Sequence, residues 1–193
     1  MRLMIKRRYR FLVTAVLIAV IFTPLYASAC GPSPQKVTKE IVIKAPPKKV
    51  WALISDFSAM QKWHPDVLSS VLETKADPDG KAANYRTLTL KNGGAIIEKQ
   101  REMQAGEMKL GAVMEQGDIA VSNYSDVIAV KPSLVAGESV VTWVGRFNNK
   151  ANLMQAPVGQ DNATAIAAVE SWYDTGLQGL KENVEKSHLL MVR

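Results

Sequence analysis

From residue 39 onward, apolar and polar positions alternate with the period of a strand, and helical spacing interrupts them in two places. In residues 39–44, Ile41 and Ile43 share one face, opposite Glu40, Val42 and Lys44. Pro46 and Pro47 end that strand. They suit a first helical turn, because proline fixes φ and lacks only an N–H that the turn would leave unpaired. Val50, Leu53, Ile54 and Phe57 then recur at helical spacing with Trp51 beside them, and a shorter second helix closes at Trp63-His64-Pro65. Further alternating segments follow at residues 67–73, 83–90, 95–103, 108–115, 122–130 and 139–147. Turn chemistry separates them, as at Asp77-Pro78-Asp79-Gly80, Lys91-Asn92-Gly93-Gly94 and Ala136-Gly137-Glu138. After a polar loop over residues 148–159, a long helix is predicted from Asp161. Its apolar stripe is Ala165, Val169, Trp172, Tyr173, Leu177 and Leu180. The pattern predicts fraying over residues 186–188 and a flexible tail over 189–193.

This order predicts an α+β domain over residues 37–188. An antiparallel sheet carries helices on one face, and a long helix with an apolar stripe needs a strongly curved sheet to wrap it.

The stretch over residues 39–65 carries a family signature. Ala45-Pro46, Val50-Trp51, Asp56-Phe57 and Trp63-His64-Pro65 follow the first strand in order and spacing. In this it resembles the polyketide cyclase/dehydrase-like SRPBCC superfamily, whose START/Bet v 1-like helix-grip fold is the architecture just described. Within that superfamily, YRTLTLKNGGAIIEKQ, SNYSDVIAVKP, VVTWVGRF and VESWYDTGLQGLKENV resemble the periplasmic MxaD-like branch associated with methanol oxidation. That resemblance implies a non-enzymatic accessory factor aiding electron transfer between a periplasmic quinoprotein dehydrogenase and its cytochrome. Residues 100–118 follow the branch pattern least.

Charge alters the picture only at the N-terminus. The formal net charge is +6, but Arg2, Lys6, Arg7, Arg8 and Arg10 precede any acidic residue. Without those five, 19 basic residues face 18 acidic ones, so the domain itself offers no basis for nucleic-acid binding. The basic start, the apolar run over 11–22 and Ala27-Ser28-Ala29 read as a secretory signal over residues 1–29. An uncleaved anchor is the alternative, although the run is short for a span of about 20 residues. Cys30, the single cysteine, would begin the mature chain, either incidentally or as a lipid-attachment site in a partial lipobox, with residues 30–36 as a tether. The expected localisation is periplasmic or otherwise exported, with membrane contact only through the signal or a lipid.

Strand parity places candidate residues on shared faces. Val141, Trp143, Gly145 and Phe147 form one set. Tyr124, Asp126, Ile128 and Val130 form another, and Arg86, Leu88 and Leu90 a third. A two-residue Asn-Gly turn would set Arg86 opposite Lys99, which like charge disfavours. A longer turn setting Leu88 opposite Glu98, with Glu98 diagonal to Arg86, is the preferred register. The expected function is therefore a cavity for a small hydrophobic molecule. Trp51, Trp63, Tyr85, Leu88, Tyr124, Trp143, Phe147, Trp172 and Tyr173 would wall it, and Arg86, Glu98 and Asp126 would orient the ligand. The competing reading is an aromatic core with a structural ion pair. His64, Arg86 and Glu98 are the candidates for acid–base chemistry if the protein is instead a cyclase- or dehydratase-type enzyme. One cysteine and two histidines do not make a zinc site of the usual kind, and no phosphate-binding or nucleophile-elbow motif occurs, so no metal or cofactor is expected.

Overall fold

The computed structural model describes residues 31–191, with side chains through residue 188. The expected signal (1–29) and Cys30 lie outside the described residues. Seven strands form one antiparallel sheet: β1 (Gln35–Ile43), β2 (Val67–Ala76), β3 (Ala82–Leu90), β4 (Ala95–Gln104), β5 (Lys109–Gly117), β6 (Val121–Pro132) and β7 (Ser139–Asn149). Their order across the sheet is β1-β7-β6-β5-β4-β3-β2. β2 to β7 form a meander, as short turns between neighbouring strands favour. β1 pairs with β7, so β1 and β2 are consecutive in sequence but lie at opposite edges. Helix α1 (Pro47–Ile54) and a 3-10 turn (Met60–Lys62) carry the chain between them. β1 starts at Gln35, opposite Phe147, rather than at residue 39. The long β7 supplies partners for Gln35 and Lys36, which shortens the expected tether.

Helix α2 (Asn162–Met191) packs its stripe on β1 and β7. Ala165, Val169, Trp172, Tyr173, Leu177, Leu180 and Val184 are all buried. Each large side chain in that stripe contributes about 1.5–3 kcal/mol by leaving water. Asp161 caps the helix, its Oδ1 accepting the Thr164 N–H at 2.8 Å. Polar clamps fix α2 to β1: Lys39 Nζ lies 3.0 Å from Asp174 Oδ2, Lys181 Nζ donates to the Val42 carbonyl at 3.0 Å, and the Lys44 N–H donates to Glu185 Oε1 at 2.8 Å. The last of these, together with buried Val184, explains why helical backbone continues past residues 186–188, where fraying was expected.

The β3–β4 turn sets the register of the interior. Gly93 donates to the Leu90 carbonyl at 3.0 Å, and Leu90 donates to the Gly94 carbonyl at 2.8 Å. Gly93 has φ 89°, so the loop is the three residues Lys91–Asn92–Gly93 with a left-handed glycine last. The turn therefore begins one residue earlier than the expected Gly-bulge loop. Arg86 stands directly opposite Glu98 rather than diagonal to it, and Leu88 faces Ile96. Of the three methionines around the β4–β5 connection, Met108 and Met114 pack on the core, whereas Met103 remains 43% exposed.

Candidate functional site

Arg86, Glu98 and Asp126 sit on the inner face of the sheet because they share strand parity with the buried Leu88, Ile96 and Ile128. All three are at most 6% exposed. Arg86 Nε donates to Glu98 Oε2 at 2.6 Å, and Arg86 Nη1 donates to the Phe57 carbonyl at 3.3 Å. The guanidinium also lies 4.2 Å over the Phe57 ring. Asp126, two strands further on, accepts from Tyr124 OH at 3.0 Å and from Trp143 Nε1 at 2.8 Å. Since the Tyr124 proton is used there, Tyr124 oxygen accepts from Tyr173 OH at 2.7 Å. Burial, then the charge of Glu98, pushes the Asp126 carboxyl above its ordinary range.

Tyr173 reaches the sheet because Gly145 lacks a side chain; a Cβ there would overlap the Tyr173 hydroxyl. Tyr173 stacks on Trp143 with ring centroids 4.3 Å apart, Trp63 meets Trp143 edge-on at 5.8 Å, and Phe147 lies 6.3 Å from Tyr124. Two further glycines admit the Trp63-His64-Pro65 corner to the helix. A Cβ on Gly176 would come within 2.6 Å of the His64 ring, and one on Gly179 would overlap the Trp63 carbonyl. A glycine inside a strand or helix costs stability, so Gly145, Gly176 and Gly179 are the signal in the sequence for these close approaches.

His64 is 1% exposed and stacks on Trp172 at a centroid distance of 3.7 Å. Its Nδ1 accepts the Asp66 N–H at 3.3 Å, so Nε2 carries the proton and donates to the Trp172 carbonyl at 3.1 Å. Burial lowers its pKa from 6.5 to about 4, the Trp172 carbonyl opposes that shift, and Arg86 adds to it. The fold thus favours neutral His64. This contribution is complete above pH about 6.5 and is lost as pH falls through about 4, amounting to about 3 kcal/mol. Asp126 works with the opposite sign in acid, because its folded-state pKa is raised. The expected result is therefore a difference: urea titrations should show the wild-type protein losing stability relative to His64→Gln between pH 6.5 and 4. Parallel pH profiles would show that His64 is not held neutral.

Tyr85 departs from the expected wall. It neighbours Arg86 in the strand, and adjacent strand residues point to opposite faces. Tyr85 lies on the outer face under Lys75, 4.6 Å from its ring centre, with Lys99 at 6.0 Å. Trp51 is half-buried against the core. Trp63, Leu88, Tyr124, Trp143, Phe147, Trp172 and Tyr173 are buried, and the ring contacts join the aromatic ones around Asp126 and His64. A cleft of about 440 Å³ opens at one end of the sheet between the β3–β4 turn (Leu90, Asn92), the β5–β6 turn (Asp118–Ala120) and the helix positions Ala168, Ser171 and Trp172. Among the described residues no cluster of three or more metal-ligating side chains occurs.

A curved seven-stranded sheet gripping one long helix, with a polar row inside an aromatic interior, defines a START-like α+β protein. The chain belongs to the polyketide cyclase/dehydrase and lipid transport family, which it matches over residues 34–185. It is 26% identical over 141 residues to the abscisic acid receptor PYL7 of Arabidopsis thaliana, spanning 72% of this chain and 63% of that receptor. The protein XoxI from Bacillus cereus superposes with a TM-score of 0.61 at 25% identity, covering 76% of this chain and 93% of its own. A START superfamily protein from Mycobacterium smegmatis shares the fold with a TM-score of 0.61 at 17% identity, covering 78% and 97%.

Proposed function

We propose that the protein is an exported binding protein that holds a small apolar molecule between sheet and long helix, entering by the cleft beside Trp172. The observation that carries this reading is the charged row Arg86, Glu98 and Asp126 set among aromatic side chains, where charge is costly unless it serves recognition or pairing. The family's description includes lipid transport, and the name of PYL7 describes a receptor for a small organic acid; both support binding. Binding is favoured over acid–base catalysis because both His64 nitrogens are engaged and Arg86 is committed to Glu98 and the Phe57 carbonyl. Export rests on the sequence of residues 1–29, and attachment through a lipid on Cys30 is part of the same proposal.

Native mass spectrometry of protein purified without detergent should show a co-purified organic mass that is lost on denaturation. Spectra showing only the bare chain, together with no uptake of a naphthyl fluorophore, would overturn the binding reading. The accessory role beside a periplasmic dehydrogenase and cytochrome is a second reading, supported by the MxaD-like motifs. Its test is the rate of periplasmic alcohol oxidation in a deletion strain, and an unchanged rate would remove it.

A further inference from the structure

The buried charges inside the grip do not balance. Among the described buried side chains, Arg86 is the cation, Glu98 and Asp126 are the carboxylates, and His64 is held neutral by burial, with its Nδ1 accepting the Asp66 N–H. Arg86 is the direct partner of Glu98. The hydrogen-bond partners of Asp126 are neutral, the Tyr124 hydroxyl and the Trp143 indole N–H, and the charge of Arg86 acts on it without a direct bond. Tyr124 and Trp143 donate to it, and Tyr173 donates to the Tyr124 oxygen, an arrangement that suits an ionised acceptor. An ionised carboxylate without a counter-charge is costly in an apolar interior.

The two hydrogen bonds to Asp126 both end on Oδ2. Of the described buried side-chain polar atoms, only Ser70 Oγ is fully covered and unpartnered. Asp126 keeps 6% exposure, and its Oδ1 carries neither of these bonds. The two donors to the carboxylate belong to aromatic rings, Trp143 stacked on Tyr173 and Tyr124 beside Phe147, each with one face left outside its pair. Such faces attract cations, most strongly when water is excluded.

We propose that the site takes an apolar ligand bearing an organic cation, such as an alkyl or aryl amine, with Asp126 as the counter-ion and the surrounding rings as its cage. The proposal rests on the binding reading above and adds the charge of the ligand. A carboxylate ligand would bring a third negative charge beside Glu98 and Asp126, so the same residues select against acids.

The test uses the full chain, a neutral naphthyl fluorophore (N-phenyl-1-naphthylamine), and displacement by decylamine, decanol and decanoate at pH 7.5, all below their micellar concentrations. Decylamine should displace the fluorophore at least about tenfold more effectively than decanoate. Asp126→Asn keeps an acceptor for Tyr124 and Trp143 but removes the charge. It should reduce that preference to within about threefold. Uptake of the fluorophore with decanoate competing as well as decylamine would overturn the cation assignment while leaving the binding reading intact. An amine preference unchanged in Asp126→Asn would overturn the role of Asp126. Failure of the wild-type chain to take up the fluorophore or any of the three compounds would overturn both readings.

Discussion

Arg86→Met should destabilise the domain by about 3–5 kcal/mol, the usual result of removing one partner from a buried ion pair. The guanidinium is 2.6 Å from Glu98, and that carboxylate is 3% exposed. Without Arg86, Glu98 would be buried beside Asp126 with no cation among the described buried groups. The substitution also removes the bond to the Phe57 carbonyl and the contact with its ring, which fasten the segment after α1 to the sheet. Urea denaturation should show a lower midpoint with an unchanged slope. The double variant Arg86→Met, Glu98→Leu should recover most of the loss, because the cost comes mainly from the orphaned charge rather than from the missing pair. A single-variant loss below about 1 kcal/mol would mean that Glu98 is solvated like a surface charge.

The second large effect is expected at Gly179, where the sign runs against local propensity. Alanine is the better helix former by about 1 kcal/mol. Even so, Gly179→Ala should destabilise by about 1–3 kcal/mol, as forced overpacking does. A Cβ there would overlap the Trp63 carbonyl and lie 2.5 Å from Pro65 Cδ, so backbone must move. Gly106→Ala is the control, since its Cβ would meet nothing within 4 Å. Stabilisation by Gly179→Ala, read from the thermal midpoint, would show that the corner is not seated on the helix.

The residues of the signature over 39–65 take different structural roles. Asp56 is a turn residue: its Oδ1 accepts from the Ser58 N–H at 3.1 Å and the Ser58 hydroxyl at 2.6 Å. Phe57 supplies both a carbonyl and a ring to Arg86. His64 is a hydrogen-bonded wedge between Trp172 and the turn at Asp66. The stretch thus shapes the site without presenting a reactive group of its own.

Strand parity read from the sequence placed Arg86, Glu98, Tyr124, Asp126 and Trp143 inside correctly, because a period of two allows only two faces and one of them must be apolar. The same rule, applied consistently, excludes Tyr85 from the interior that holds Arg86. The stripe on α2 was equally legible, since helical spacing and apolar character coincide there.

The α+β class, the order of elements, the family signature over residues 39–65 and the faces of most strands are legible along the chain. These are local properties, set by periodicity and turn chemistry. Which residues meet depends on how distant segments fold together. The position of one left-handed glycine, Gly93, aligned Arg86 with Glu98. The missing side chain of Gly145 brought Tyr173 onto Tyr124, completing the donor chain to Asp126. The glycines of α2 let a corner more than a hundred residues away in sequence settle on its surface, Trp172 and His64 being 108 apart. Such contacts depend on the absolute register of a turn and on clearances of a fraction of an ångström between distant segments, and neither leaves a periodic trace in the chain.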